Sequence, residues 1–83
     1  MKVLYFAWLR SHTGVGEEAV TPPAEVATVD ALLDWLAGRS EGHGAALADR
    51  GRIRVAVNQE YAGPDDGVGP DDEIALFPPV TGG

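Results

Sequence analysis

The sequence predicts one α+β domain over residues 1–83, in which a mixed β-sheet packs on one main helix. Apolar, strand-like segments lie near the start, in the middle and near the end of the chain. One amphipathic helix is predicted between the first two of these segments. No linker-like tract divides the chain, and 83 residues suffice for one modest core that buries about 60–65% of the unfolded surface.

The first predicted strand covers Lys2 to Leu9, because this short run is apolar at almost every position and shows no helical periodicity. A second strand is predicted over Glu18 to Thr21, which forms a hairpin with the first and ends at Pro22-Pro23. Strand alternation divides the first strand between two faces, with Val3, Tyr5 and Ala7 on one and Leu4, Phe6 and Trp8 on the other.

The main helix is predicted to begin after Thr28, which is a good N-cap residue. Its apolar stripe follows helical spacing and consists of Val29, Leu32, Leu33, Leu36 and Ala37. Gly38 or Gly42 ends the helix. The segment from Glu41 to Gly51 is ambiguous, and a short helical turn at Ala45–Leu47 is one option.

The remaining predicted elements are a half-buried strand at Ile53 to Val57, a tight turn at Asn58 to Glu60, a short strand around Tyr61, a loop from Gly63 to Asp72 and a last strand at Glu73 to Phe77. The order is therefore β-β-α-β-(β)-β. The helix is long enough to connect parallel strands, and the very apolar first and last strands are expected at the centre. This arrangement is that of a β-grasp, or ubiquitin-like, domain.

The composition excludes several classes of function. There is no cysteine, so disulfides, thiolate metal sites and a cysteine nucleophile are ruled out. The net charge of −7 argues against nucleic acid and anionic membrane as partners; it fits a basic partner surface, or simply favours solubility. Neither a signal peptide nor a membrane span is predicted, which indicates the cytoplasm. His12 and His43 are expected to be solvated loop residues, and no metal site is expected.

The last residues form the most informative segment. Pro78-Pro79 must end the last strand, because proline has no N–H for the sheet. The extended tail 78–83 then reaches about 20 Å. It continues through Val80-Thr81 to Gly82-Gly83, which is thin enough to enter a narrow tunnel because glycine has no Cβ. A frayed chain end is the alternative for a diglycine alone.

The segment Asp72 to Gly83 resembles the end of the small subunit of molybdopterin synthase, a family of ubiquitin-like sulfur carriers. Lys2 to Ala7 with Arg10, and Val55 to Gln59, agree with the same family, so the resemblance spans essentially the whole chain. The β-grasp fold is what this resemblance implies as well.

The resemblance also implies a chemistry. Gly83, preceded by Gly82, would be adenylated by an E1-like activating enzyme that uses ATP, and a sulfur donor would convert the adenylate to a thiocarboxylate. The tail would then enter the large subunit of molybdopterin synthase, in a heterotetramer, and donate sulfur to cyclic pyranopterin monophosphate. No residue set in the chain could run a reaction alone, so the chain is expected to be no enzyme by itself and to bind no cofactor.

Strand alternation also predicts a partner-binding face. The side chains expected to face the helix are Val3, Tyr5, Ile53, Val55, Val57, Ile74 and Leu76. Those expected on the opposite face are Phe6, Trp8, Ala56, Ala75 and Phe77, with Tyr61 at the rim. Exposed aromatic residues beside the tail, Pro78 to Thr81, mark an interface. Alternatively, the loop Gly63 to Asp72 folds over this face. Arg10 and Arg54 are rim contacts or solvated charges.

Other functions remain open from the residues. A carrier for thiamine or cysteine synthesis uses the same diglycine chemistry, although Pro78-Pro79-Val80-Thr81 favours the molybdopterin branch. A ubiquitin-like modifier also begins with an acyl-adenylate and then forms isopeptide bonds with lysines. A plain interaction module with a passive tail is the remaining alternative.

Overall fold

The computed structural model of the chain describes residues 1–79. Its strands and helices follow in the order β1 (Lys2–Tyr5), α1 (Trp8–Thr13), β2 (Glu17–Ala19), α2 (Val29–Ala37), α3 (Glu41–Ala46), β3 (Arg54–Val57), β4 (Glu60–Ala62) and β5 (Glu73–Phe77). A 3-10 turn, Arg50–Arg52, precedes β3. The longest of these helices, α2, has 9 residues, and no helix in the described part is long and apolar enough to cross a membrane.

The five strands form one mixed sheet in the order β2-β1-β5-β3-β4. The central strands β1 and β5 are parallel, and the other three pairs are antiparallel. A parallel pair needs a long crossover connection, and the segment that contains α2 supplies it. The sequence-based prediction of a mixed β-grasp sheet with the first and last strands at its centre is confirmed.

Strand β5 has the predicted bounds, Glu73–Phe77, and lies between β1 and β3. Its register places Ile74 beside Val3 and Val57, and Leu76 beside Tyr5 and Val55. Ile74 and Leu76 are fully buried, whereas the alternate residues are only half-buried. Because β1 and β5 are parallel, the end of β5 lies beside the end of β1.

Helix α2 begins after Thr28, as predicted, and ends at the first of the two glycines that were predicted to end it. The Thr28 side chain accepts a hydrogen bond from the Ala31 N–H at 3.2 Å, which caps the first turn. Asp30 in that turn interacts favourably with the helix dipole. Gly38 ends the helix. The predicted apolar stripe faces the sheet, since four of its members are buried: Val29, Leu32, Leu33 and Leu36.

The core lies between one face of the sheet and the helices. Of the residues predicted to face the helix, six are buried and Val57 is half-buried. The buried core residues are Val3, Tyr5, Leu9, Val20, Val29, Leu32, Leu33, Leu36, Ala46, Leu47, Ile53, Val55, Ile74 and Leu76. The helices cover only this face, so the other face of the sheet has no helix packed on it.

The first strand is shorter than predicted, because it ends at Tyr5 and not at Leu9. Ala7 has a φ of 54°, a left-handed conformation that breaks the strand and starts α1. Leu9 turns into the core on this short helix, which ends at Gly14 with a φ of 83°. Trp8 is therefore not on the outer face of a strand, and that prediction is wrong.

Two further predictions needed correction. The second strand is Glu17–Ala19, not Glu18 to Thr21, because Val20 turns into the core ahead of the two prolines. The ambiguous segment forms α3, whose first turn is capped by the Ser40 hydroxyl accepting from the His43 N–H at 3.1 Å. Of the residues that were considered for a helical turn, Ala45 and Ala46 are in α3 and Leu47 follows it.

The turn between β3 and β4 is confirmed, and its geometry explains the sequence. Asn58 and Gln59 have φ values of 52° and 70°, so both central residues of this two-residue hairpin are left-handed. Asparagine tolerates that conformation better than most residues do. The Asn58 side chain also accepts a hydrogen bond from the Glu73 N–H at 3.0 Å, which ties the hairpin to β5.

Candidate partner-binding surface

One face of the sheet carries small and aromatic side chains and has no helix on it. Its register is fixed by the pairs Leu4 with Ala75, Ala75 with Ala56, and Ala56 with Tyr61. These residues form a row across four strands, because paired residues in a sheet point to the same side. Phe77 lies one row closer to the tail. We call Leu4, Phe6, Ala56, Tyr61, Ala75 and Phe77 the outer face.

The aromatic residues of the outer face are unusually accessible. Tyr61 is 77% exposed and Phe6 is 48% exposed, while Phe77 is half-buried. The rings of Tyr61 and Phe77 lie 5.9 Å apart between centroids, at a tilt of 51°. The Phe6 N–H donates to the Leu76 carbonyl at 3.1 Å, which continues the pairing of β1 and β5 and places Phe6 beside Phe77. Grouped exposed aromatic side chains are typical of protein interfaces.

The loop between β4 and β5 does not cover this face. Gly67 in this loop forms an isolated bridge with Thr28, and the Val68 N–H donates to the Ala27 carbonyl at 3.0 Å. The Val29 N–H in turn donates to the Asp66 carbonyl at 2.9 Å. These bonds hold the loop against the start of α2, on the helical side of the sheet. The alternative, in which the loop folds over the aromatic residues, is therefore wrong.

The predicted site residues divide into two groups. Phe6, Tyr61 and Phe77 come together on the outer face, and the half-buried Pro78 and Pro79 follow directly at the end of β5. The other four, Val80, Thr81, Gly82 and Gly83, lie outside the described residues. The structure thus brings the three aromatic side chains to the end of the sheet from which the tail continues.

The outer face differs from the predicted partner-binding face at two residues. Leu4 belongs to the outer face, which agrees with strand alternation, but it is not among the predicted partner-binding residues. Trp8 belongs elsewhere, since it packs against the core from α1, with its ring 5.7 Å from the Arg52 guanidinium carbon and 6.3 Å from the His12 ring. The left-handed residue before Trp8 could not be recognised, because alanine rarely adopts that conformation.

His43 is the clearest error among the candidate residues. It is buried, 7% exposed, and not a solvated loop residue. Its Nε2 atom lies 2.6 Å from a Glu18 carboxylate oxygen, and its Nδ1 atom lies 2.7 Å from the Ser40 hydroxyl. The Tyr5 hydroxyl donates to the same Glu18 oxygen at 2.6 Å. The network links β1, β2 and α3, and it satisfies every polar group that it buries. His12, by contrast, is exposed as predicted, although it lies on α1.

The network shifts the ionisation of two of its members. Burial alone would raise the pKa of Glu18, but the hydrogen bonds from Tyr5 and His43 outweigh it and hold the pKa below the ordinary 4.5. Burial, followed by the hydrogen bond to the Glu18 carboxylate, raises the pKa of Tyr5 well above its ordinary value. Glu18 is therefore ionised and Tyr5 neutral at physiological pH, as a structural network requires.

No metal-binding cluster of three or more histidine or acidic side chains occurs within residues 1–79. The aspartates of the loop before β5 act in turns. The Asp66 carboxylate accepts from the Gly63 N–H at 2.7 Å, and the Asp72 carboxylate accepts from the Gly69 N–H at 2.7 Å. The hydrogen bond from Asn58, followed by that from Gly69, lowers the pKa of Asp72. Among the described residues the outer face is therefore the strongest candidate site.

The chain is similar over its full length to proteins named molybdopterin synthase sulfur carrier subunit. The protein of Escherichia coli (strain K12) is 42% identical over 83 residues, which cover 100% of this chain and 99% of that protein. The Homo sapiens protein is 40% identical over 87 residues, covering 100% of this chain and 93% of that protein.

Solved structures agree with the fold. SAMP1 from Haloferax volcanii superposes with a TM-score of 0.76 at 35% identity, covering 100% of this chain and 98% of that one. A putative molybdopterin converting factor, subunit 1, from Pyrococcus furiosus superposes with a TM-score of 0.77 at 31% identity, covering 95% of each chain. The family model described as the ThiS family matches residues 3–83. The resemblance stated from the sequence is thus confirmed, and the chain belongs to the ThiS family.

Proposed function

We propose that the chain is a sulfur carrier in molybdenum cofactor biosynthesis and acts as the small subunit of a molybdopterin synthase. The observation that carries the proposal is the full-length similarity to proteins of that name. The geometry supports the proposal, because the accessible aromatic side chains of the outer face lie at the end of β5, the strand that leads into the tail. A passive interaction module would need such a face but would have no use for a diglycine.

The chemistry of the proposal begins at the Gly83 carboxylate. A carboxylate oxygen is a poor leaving group, so ATP is used by an E1-like activating enzyme to form an acyl-adenylate with release of pyrophosphate. Hydrosulfide (HS⁻), supplied by the sulfur donor, then attacks the acyl carbon, a C–S bond forms, and the C–O bond to AMP breaks so that AMP leaves with its electron pair. The product is a thiocarboxylate on Gly83. The chain itself binds neither ATP nor another cofactor in this scheme.

The proposed complex places the outer face against the large subunit. Phe6 and Phe77 lie beside each other where β1 and β5 end, so a partner bound there also receives the tail. Two consecutive prolines restrict the backbone at the start of the tail and cannot continue the hydrogen bonding of β5. The large subunit supplies the active site and the bound precursor, and this chain supplies sulfur. The assembly is a heterotetramer of two subunits of each kind.

The test is the intact mass of the chain after incubation with its activating enzyme, ATP and a sulfur donor. The proposal predicts a species in which one oxygen has been replaced by sulfur, and it predicts that a variant without Gly83 does not acquire it. A chain that keeps its original mass while the adenylate is formed and hydrolysed would contradict the proposal.

A protein modifier is the second candidate. It is favoured by the similarity to a structure titled small archaeal modifier protein 1 from H. volcanii, which is 32% identical with a TM-score of 0.77. The modifier would use the same adenylate but transfer Gly83 to a lysine amine, releasing AMP and forming an isopeptide bond. The same mass experiment separates the two, if other proteins are present, because conjugation gives high-mass adducts and no thiocarboxylate.

A further inference from the structure

The positive charges of the domain are unevenly paired. Within residues 1–79, three arginines have no carboxylate within salt-bridge distance: Arg10, Arg52 and Arg54. The other lysine and arginine residues each contact at least one carboxylate, and these are Lys2, Arg39 and Arg50. These three arginines are exposed, and they have no acidic partner within residues 1–79 although the chain has 13 acidic residues and a net charge of −7.

All three unpaired arginines lie at the end of the sheet from which the tail continues. Arg54 begins β3 and pairs across the sheet with Phe77, the last residue of β5. The Arg52 guanidinium stacks on Trp8, just after the end of β1. The Arg10 guanidinium lies so close to Gly16 that an added Cβ there would be 3.1 Å from its central carbon.

Two of these arginines lie in shallow clefts on either side of the central strands. One cleft is lined by Arg54 together with Tyr61 and Phe77. The other is lined by Arg10 together with Phe6 and Val15, and also by Glu17, whose carboxylate pairs with Lys2. Each cleft therefore combines an aromatic wall with an exposed guanidinium. Arginine and aromatic residues are the residue types most enriched in the strongly contributing parts of interfaces.

Acidic residues lie at the opposite end of the sheet from the unpaired arginines. Asp71, Asp72 and Glu73 lie where β5 begins, far along the strand from Phe77. Three exposed guanidinium groups without a carboxylate partner, gathered at one end of an acidic domain, attract a negative surface to that end. From the sequence, the net charge fitted either a basic partner surface or a role in solubility alone, because net charge does not show where the charges lie.

We infer that the large subunit presents acidic side chains on both sides of the entrance that receives the tail, and that Arg10 and Arg54 bind them. This inference rests on the function proposed above. The planar guanidinium pairs with a carboxylate through two parallel hydrogen bonds, so the two arginines fix the orientation of the domain as well as its affinity. A tail of a few residues reaches its target only when the domain that carries it is correctly oriented.

The experiment measures the rate and affinity of association with the purified large subunit from the same source, by stopped-flow fluorescence, as salt is varied. The variants are Arg10→Gln, Arg54→Gln and the double variant. Arg50→Gln is the matched control, because it makes the same change in net charge but removes a side chain that pairs with Asp30 and Asp34 on α2. Thermal melts establish that each variant is folded.

The expected result is an affinity loss of about tenfold for the double variant near 50 mM salt, shrinking to less than about threefold near 0.5 M as salt screens the charges. The loss is expected mainly in the association rate, with Arg50→Gln close to wild type. Wild-type affinity in the double variant, or an equal loss in Arg50→Gln, would overturn the inference while leaving the proposed function intact. No binding of the wild-type chain would instead overturn the proposed function, and this inference with it.

Discussion

Leu76 and Phe77 are neighbours on β5 that face opposite sides of the sheet, so they provide a matched pair of substitutions. Leu76 is fully buried against the helices, and Phe77 is half-buried on the outer face beside Tyr61. We predict that Leu76→Ala lowers the stability of the domain but leaves partner binding largely intact. We predict that Phe77→Ala lowers partner binding but leaves the stability largely intact.

The structure sets the sizes of these effects. Removing a fully buried leucine side chain costs about 2–5 kcal/mol, because buried area is lost and a cavity remains. A small domain has about 5–10 kcal/mol in total, so the melting temperature should fall by at least about 10 °C. Phe77→Ala loses an aromatic pair worth about 0.5–1.5 kcal/mol and some half-buried area. Its binding loss should be at least about 2 kcal/mol, or roughly 30-fold in affinity.

The assays are urea unfolding of each variant, followed by titration calorimetry with the large subunit. Binding is measured at a temperature at which Leu76→Ala is still folded, so that a loss of fold is not mistaken for a loss of contact. If Phe77→Ala unfolds as easily as Leu76→Ala and binds normally, the two faces have been assigned the wrong way round. The proposed partner surface would then have to be abandoned.

Three further predictions can be tested in the same way. Burial raises the pKa of Glu18, but hydrogen bonding outweighs it and holds that pKa below 4.5. Glu18 therefore stabilises the domain above pH 4.5, and this stabilisation is lost as the pH falls through the lowered pKa. Urea titrations should show that the stability of Glu18→Gln depends less on acid pH than that of wild type. Gly42→Ala should lower the free energy of unfolding by about 1–3 kcal/mol, because the new Cβ would collide with the His12 carbonyl where α3 passes α1. A melting temperature equal to that of wild type would argue against this close approach. Phe6→Glu should melt close to wild type but fail to bind the large subunit in calorimetry, since it places a charge in the interface, and a large drop in melting temperature would place Phe6 in the core.

The parts of the fold that were predicted correctly are those in which local pattern and tertiary structure agree. Strand β5 and the start of helix α2 were predicted to the residue, because prolines and an N-cap mark them, whereas the end of α2 was open between Gly38 and Gly42. The outer face followed from strand alternation once the central strands were known. Even the tight turn at Asn58 is visible from sequence, since asparagine there accepts the left-handed conformation.

The errors arose where tertiary contacts decide the structure. Nothing local shows that Ala7 is left-handed, so the apolar run to Leu9 predicts one strand. His43 was assigned to solvent because its sequence neighbours are small and polar, but its partner Glu18 is 25 residues away in the chain. A buried histidine is satisfied by groups that only the folded chain brings together. The unpaired state of Arg54 is equally invisible in the sequence.

The proposed role as a sulfur carrier is tested most directly by following the sulfur from the carrier into the product. The measurement is the amount of molybdopterin formed per thiocarboxylated carrier, with purified large subunit and cyclic pyranopterin monophosphate and no other sulfur source. We expect one molybdopterin for about every two carriers consumed, because a dithiolene holds two sulfur atoms.

The same reaction is run with Gly82→Val and with a variant that lacks Gly83. The first adds a branched side chain where the proposed function requires a thin tail. The second shortens the reach by about 3.5 Å, which is too much for a carbon that must lie near its attacking group. Both should reduce product to background while the domain remains folded. Molybdopterin formed at the wild-type level by the variant without Gly83 would contradict the claim that sulfur travels on the end of this tail.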